Sequence, residues 1–368
     1  MAIPTENTNP TLHIKAACLI VILIGSAYIL FIGGSVIIPI LFSVLIAILL
    51  NPSVNYLNRK GIPNVISILM VILITMLILS ILVYFLVAQF SQLTEMLPEL
   101  KVQIQHMVTQ SNQWISQHFN IPLKRLQEWQ TQSTKDILKD TSGIIGTTIL
   151  NISITLTVIF LIPIYIFMML FYKTLFIEFI GRLFTKEKHG SIASIIHDTK
   201  TMIQSYLSGL LIESLIVATL NSIGLLIIGV DFAILIGAIG GVLNIIPYIG
   251  GIVAVIIPMF IALTTISPAA AGWVLVVYLI VQFVDNNILM HYIVSSKVKI
   301  NALASIIVVL TGGAIWGIPG MFLSIPLIAI FKIIFDHVDS LKPFGFLLGD
   351  TIPMQQNSFF KKLRTAKK

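Results

Sequence analysis

Apolar positions run along this chain in long unbroken blocks, and the charged positions are confined to the gaps between them. Ala16 to Asn58, Gly61 to Thr94, Thr141 to Tyr172, Phe232 to Val284 and Ile300 to Phe331 contain no Asp, Glu, Lys or Arg. About 20 uncharged apolar residues cross a bilayer as a helix. The blocks predict six full spans, near residues 14–32, 35–50, 65–90, 144–171, 204–228 and 272–289. Gly33-Gly34 turns the chain between the first two, and Asn51-Pro52 closes the second. Two further apolar blocks, 232–265 and 302–335, are interrupted differently. The first carries Gly240-Gly241, Pro247, Gly250-Gly251 and Pro258. The second carries Gly312-Gly313, Gly317, Pro319-Gly320 and Pro326. Proline removes a backbone donor and glycine admits left-handed backbone and close approach, so both blocks should be broken, re-entrant or hairpin segments.

Between the third and fourth spans the chain turns polar. Leu93, Leu97, Leu100, Ile104, Met107, Val108 and Ile115 recur there at helical spacing. This predicts an amphipathic segment on the membrane surface or against a neighbouring subunit, with Trp114 and Trp129 as interfacial anchors.

Composition agrees. The chain is 57% hydrophobic and only 10% charged, where a soluble domain carries about a quarter charged residues. The expected class is an all-α, polytopic helical membrane protein embedded in a lipid bilayer. The first span is too long for a signal-peptide core and no small-residue cleavage site follows it, so it should remain as a helix. The single cysteine, Cys18, lies in that span and rules out a disulfide framework. The net charge of +7 does not point to nucleic acid. Lys15, Arg59-Lys60, the loop after the fourth span, Lys297, Lys299 and the tail all fall on one side if both broken segments enter and leave on the same side. Lysine and arginine gather in cytoplasmic loops, so both termini are expected in the cytoplasm and the amphipathic segment outside. The chain then divides into residues 1–90 (three spans), 91–143 (external segment), 144–203 (fourth span and cytoplasmic loop), 204–335 (transport core) and 336–368 (basic tail).

Within the core, two acids stand alone. Glu213 is the only charge between Thr201 and Val230, and Asp285 the only one between Phe232 and Ser296. A carboxylate inside a bilayer costs several kcal/mol even by the lower estimates. Each acid precedes a Gly-Gly pair and an Ile-Pro at matching offsets. Glu213 to Gly240 equals Asp285 to Gly312, and Pro247 is displaced from Pro319 as Glu213 is from Asp285. This predicts an inverted repeat, 204–266 and 270–335, each half a helix plus a broken hairpin with one acid, as many transporters are built. Irregular backbone at membrane depth is tolerated only where protein or a water-filled cavity satisfies it. The expected pathway residues are therefore Glu213, Asn244, Pro247, Tyr248 and Gly250 in one half. In the other they are Gln282, Asp285, Asn286, Asn287, Gly312, Gly313, Pro319 and Gly320. Their oxygens suit a small polar solute, or a monovalent cation and a proton. The alternative reading is glycine-mediated helix packing, with the amides as interhelical glue. There is no Gly-Lys-Ser/Thr phosphate loop, no His-Glu-x-x-His helix and no Gly-x-Ser-x-Gly elbow. Neither an ATP-driven pump nor an enzyme is expected, and no metal or cofactor.

The residues also carry a family resemblance. Phe283 to Leu289, containing Asp285-Asn286-Asn287, followed by Thr311 to Leu327, resembles the C-terminal signature of the autoinducer-2 exporter family. Pro247-Tyr248-Ile249-Gly250 resembles that family's Pro-Tyr-Ile-Gly motif. The likeness is specific from about Leu207 to Phe335. After the Asp-Asn pair the family often has Pro and Gly, where this chain has His291 and Ser295. The resemblance implies a bacterial inner-membrane secondary transporter. It implies autoinducer-2 as one solute, Na⁺(Li⁺)/H⁺ antiport as another activity, and a homo-oligomer, a pentamer.

Overall fold

In the computed structural model, residues 12–95, 102, 109, 110, 112–118, 122, 160–183, 189–246, 250–289 and 300–350 are described. Among these the chain is helical, with one isolated antiparallel bridge between Ile300 and Gly349. The helices are α1 (Leu12–Ile32), α2 (Gly34–Arg59), α3 (Asn64–Glu95), α4 (Phe160–Phe171), α5 (Lys173–Arg182), α6 (His189–Ile228), α7 (Ala233–Asn244), α8 (Gly250–Thr265), α9 (Pro268–Val284), α10 (Ala302–His337) and α11 (Lys342–Leu348).

Four of the six expected spans are found, with corrected ends. α2, α3, α6 and, with its extension to Leu289, α9 are long and apolar enough to cross a membrane, while the expected fourth span lies outside the described residues before Phe160. α2 does not stop at Asn51-Pro52 but continues through Pro52 to Arg59. α6 starts at His189, so much of the expected basic loop is a helical extension of the fifth span. α4 bends by 59° at Tyr172 into α5. At that corner Lys173 donates to Asn51 Oδ1 at 3.1 Å and Asn55 Oδ1 at 3.0 Å, tying the corner to α2. The start of the expected tail is also built in. Asn301 caps α10 by accepting from the Ala304 amide, and its Nδ2 donates to the Leu347 carbonyl of α11 at 2.7 Å.

α7 has 12 residues and α8 has 16. At about 1.5 Å per residue neither reaches the roughly 30 Å of a hydrocarbon core. They form a helical hairpin, one arm ending at Asn244 and the other beginning at Gly250. A side chain on Gly250 would collide with the Leu243 carbonyl, which shows how tightly the arms close. α7 lies flush on α6 for the same reason. Gly237 faces Ser222, Gly241 faces Ser214 and Ala218, and Ser214 Oγ donates to the Gly241 carbonyl at 2.7 Å. Small residues four apart let helix backbones approach in this way.

α10 passes the same length test as a span, yet it is not one rod. At Gly317 the backbone has φ 62° and ψ −143°. Beyond it the chain folds back until Gly320 and Ser324 press on Gly312, and Met321 on Gly313. The second broken block is thus a second hairpin, one repeat length after the first. That φ/ψ combination is open essentially to glycine alone and costs other residues of order 1–3 kcal/mol. Gly317→Ala should lower thermal stability by about that amount, read as a fall in unfolding temperature of the detergent-purified protein. An unchanged temperature would mean that the turn is not strained.

Three apolar clusters hold these parts together. Leu225, Ala254, Ala262, Ala270, Val274 and Tyr278 join the first hairpin to α6 and α9. Leu45, Ile203, Leu207, Leu210, Val309, Leu323 and Ile325 join the second hairpin to α2 and α6, and Ile245 at the first hairpin's reversal packs against this cluster. Ala47, Val54, Ile68, Ile72, Ile166 and Leu170 join α2, α3 and α4.

Candidate functional site

α6 and α9 run antiparallel with their lone acids side by side. Glu213 and Asp285 are 3% and 4% exposed, and their carboxyl groups are close neighbours. The first hairpin brings a third group to the same point. Asn244, the last residue of α7, donates from Nδ2 to Asp285 Oδ2 at 3.0 Å. Its position follows from the fold: the glycine contacts seat α7 on α6, so the end of α7 reaches α9. Glu213 Oε2 and Asp285 Oδ1 have no donor among the described residues. A carboxyl can bond to another carboxyl only through a shared proton, and two buried carboxylates at contact repel strongly. The arrangement can hold one proton between two acids, or a small cation in its place.

The backbone around Asp285 is also unusual. α9 ends at Val284, and residues 285–289 continue as a π-helical turn. Such turns are rare and frequently lie at functional sites. The wider turn directs Asp285 inward while Asn286 and Asn287 remain exposed. Asn287 Nδ2 donates to the Phe283 carbonyl at 2.8 Å, and Gln282 Nε2 to Asn286 Oδ1 at 3.3 Å. The Gln282 side-chain oxygen Oε1 lies over the bare α-carbon of Gly251.

Of the residues expected to line a pathway, Glu213, Asn244 and Asp285 come into one cluster, and Gln282 meets the start of α8. Gly250 closes the first hairpin. Gly312, Gly313 and Gly320 shape the second, where Pro319 opens the returning arm next to the turn at Gly317. Pro247 and Tyr248 lie outside the described residues, as do His291, Ser295, Lys297, Lys299 and Trp129. No group of three or more His, Cys, Asp or Glu that could hold a metal ion occurs among the described residues.

Residues 17–340 match the family model described as AI-2E family transporter. The chain belongs to the AI-2E family. It is 24% identical over 355 residues to YhhT of Escherichia coli (strain K12), covering 95% of this chain and 97% of that one. It is 26% identical over 299 residues to YueF of Bacillus subtilis (strain 168), covering 79% and 80%. It is 32% identical over 150 residues to YrrI of the same bacterium, which covers 42% of that protein. As an AI-2E family member the chain is a transporter, and as its helices show, a multi-pass membrane protein.

Sequence reasoning missed three polar side chains on the faces of this AI-2E transporter that carry the acids. Ser214 fastens α6 to α7. Asn221, two turns beyond Glu213, and Tyr278, two turns before Asp285, are both buried. Reading the helical face outward from each acid would have found the last two.

The Asn244 contact is open to test. Asn244→Leu keeps the branched shape, though it is larger, and removes the donor, leaving a buried carboxylate oxygen unpaired. Losing one partner of such a bond costs about 1–3 kcal/mol. The variant should unfold at lower temperature, and Asn244→Leu combined with Asp285→Asn should recover part of the loss. No recovery would show that Asn244 acts by packing alone.

Proposed function

We propose that the protein is a secondary transporter of the bacterial inner membrane with both termini cytoplasmic. In this reading it moves a small polar solute, autoinducer-2 among the candidates, along the seam between α6, the first hairpin and α9. The observation that carries the reading is the buried Glu213–Asp285 pair at the end of a hairpin too short to cross the membrane. Acids inside membrane segments are expensive, and where they occur they mark ion pathways and proton relays. A hairpin end at that depth is where transporters place their sites. The pair would carry the coupling proton, exchanging it as the solute passes, and Asn244 would tie the hairpin's position to the charge on Asp285. The remaining pathway residues, Gln282 with Gly251 and the Gly312–Gly320 closure, would shape the route.

A second reading is exchange of Na⁺ or Li⁺ for H⁺ on the same carboxyls. It is favoured by the two oxygens, Glu213 Oε2 and Asp285 Oδ1, that lack a protein donor. Cations of this kind take carboxylate and amide oxygens.

One experiment separates the two. Proteoliposomes holding the full chain are given labelled autoinducer-2 in one arm and a Na⁺ gradient with an internal pH dye in the other. Labelled flux that collapses with the proton gradient supports the first reading. Sodium-driven alkalinisation or acidification without labelled flux supports the second. No response in either arm, from protein that is folded and inserted, would sink the pathway reading.

A further inference from the structure

The bend at Tyr172 turns α5 away from α4 by 59°, and one whole side of α5 is apolar. Leu175, Phe176, Phe179 and Ile180, with Leu183 just beyond, fall on one stripe about 140° wide at 3.6 residues per turn. Thr174, Glu178, Gly181 and Arg182 fall opposite, where Glu178 and Arg182 pair with each other. No residue of α5 is buried, and Leu175 and Phe179 are each 58% exposed. The described residues therefore leave the stripe uncovered. With Lys173, Glu178 and Arg182 among its 10 residues, α5 does not continue α4 through hydrocarbon. The corner that aims it is fixed. Pro52 has no amide hydrogen for the Ile48 carbonyl, and Gln204 Nε2 of α6 donates to that carbonyl instead, at 2.8 Å. This bond sets α2 against α6, so Lys200, one turn before Gln204, lies level with Asn51 and Asn55. Lys173 reaches the same two asparagines from the bend. An ammonium has three donors, of which Asn51 and Asn55 take two. Lys200 is close enough to act on the Lys173 charge, and among the described residues neither lysine has a carboxylate partner.

We propose that α5 is an in-plane docking surface for the cytoplasmic leaflet, its apolar stripe sunk at the headgroup boundary and Lys173 with Lys200 holding the phosphate of an anionic lipid. The choice of leaflet rests on the reading that both termini are cytoplasmic, and the docking itself does not. Continuity decides the occupant. α4 is the described end of the fourth span and stops at Phe171, two residues before α5 begins. The stripe therefore starts where the chain leaves the hydrocarbon, at the depth where amphipathic helices lie. A soluble partner would need the stripe to stand in water before it arrived, as an exposed apolar patch. The charge fits as well. Arg59, Lys60, Lys173, Arg182 and Lys200 lie at this end of the helices, and the cytoplasmic leaflet carries anionic lipid. A phosphate oxygen accepts from both ammonium groups and supplies the negative charge that neutral Asn51 and Asn55 lack. A lipid seated there braces the corner that joins α4, α2 and α6.

The test puts a nitroxide label at residue 179 or 174, through Phe179→Cys or Thr174→Cys, in the full-length Cys18→Ala protein in lipid nanodiscs. The label at 179 should be relaxed by oxygen and shielded from a water-soluble nickel chelate, and the label at 174 should show the reverse. Equal access of the chelate to both would put the stripe in water and overturn the docking. A label at 179 shielded from both reagents would mean that protein covers the stripe, whether a second copy or another part of this chain, and overturns it too. Thermal unfolding tests the headgroup. Replacing part of the phosphatidylcholine by phosphatidylglycerol should raise the unfolding temperature of the wild type. Lys200 is exposed, so Lys200→Gln should fold and lose most of that rise. Inorganic phosphate added to neutral nanodiscs should not reproduce it. No rise with phosphatidylglycerol, an equal rise in Lys200→Gln, or the same rise with inorganic phosphate would overturn the lipid site. Both leaflets of a nanodisc are alike and no flux is measured, so these results stand apart from the orientation and from the transport route.

Discussion

Glu213→Gln and Asp285→Asn should each cut flux at least tenfold, and the double variant should be no slower than the slower single one. Tenfold corresponds to about 1.4 kcal/mol of transition-state stabilisation. The reason lies in the contact between the two acids. A proton shared by two groups is lost when either group is replaced, so the second substitution removes nothing further. Side chains in contact are non-additive in this way, whereas independent sites add. The variants should fold, because a neutral amide costs less to bury than a carboxylate. Proteoliposome flux for the two singles and the double decides the matter. Losses that multiply would mean two separate ion sites, and wild-type flux in all three would make the pair structural glue.

The largest stability effect is expected at the second hairpin. Gly312→Ala and Gly320→Ala each place a methyl group into the other arm's backbone, against the Gly320 and Gly312 carbonyls respectively. Backbone cannot step aside as a side-chain end can. Overpacking of this kind costs typically 1–3 kcal/mol, occasionally more. Both variants should lose much of their yield as folded protein in mild detergent. Gly272→Ala is the control. Nothing lies within 4 Å of the methyl group it would add, and alanine is the better helix former, so it should be neutral or slightly stabilising. Equal behaviour of all three by size-exclusion chromatography and thermal unfolding would show that the hairpin arms are not pressed together.

Much of this architecture could be read from residue order. Charge-free blocks located the spans, because the bilayer imposes a length on them that water does not. The matched offsets of Glu213 and Asp285 located the two hairpins, because a reversal in a buried helix needs glycine or proline wherever it occurs. What residue order did not yield was the meeting of the two acids. Each was read as belonging to its own half, and only the antiparallel packing of α6 on α9 puts them at one level. Asn221 and Tyr278 escaped for a related reason. An asparagine or tyrosine in an apolar helix is unremarkable until two of them are found beside one glycine, Gly240. The ends of α2 and α6 were misjudged because Pro52 and the polar start of α6, with Asp198 and Lys200, look like loop, although a long helix carries both once its other faces are packed.

The second hairpin closes on contacts between Gly312 and Gly320 or Ser324, only eight to twelve residues apart. Glu213 and Asp285 are 72 residues apart, with the whole first hairpin between them. Loop closure favours near neighbours, and contacts distant in sequence form later. During biogenesis the hairpin can therefore snap shut as a local unit, while each acid waits in the bilayer for its counterpart. A lone carboxyl there is costly to bury. Only the final docking of α9 on α6 brings the two acids together, so that each can meet a polar partner. The pair is then the seal on a completed fold.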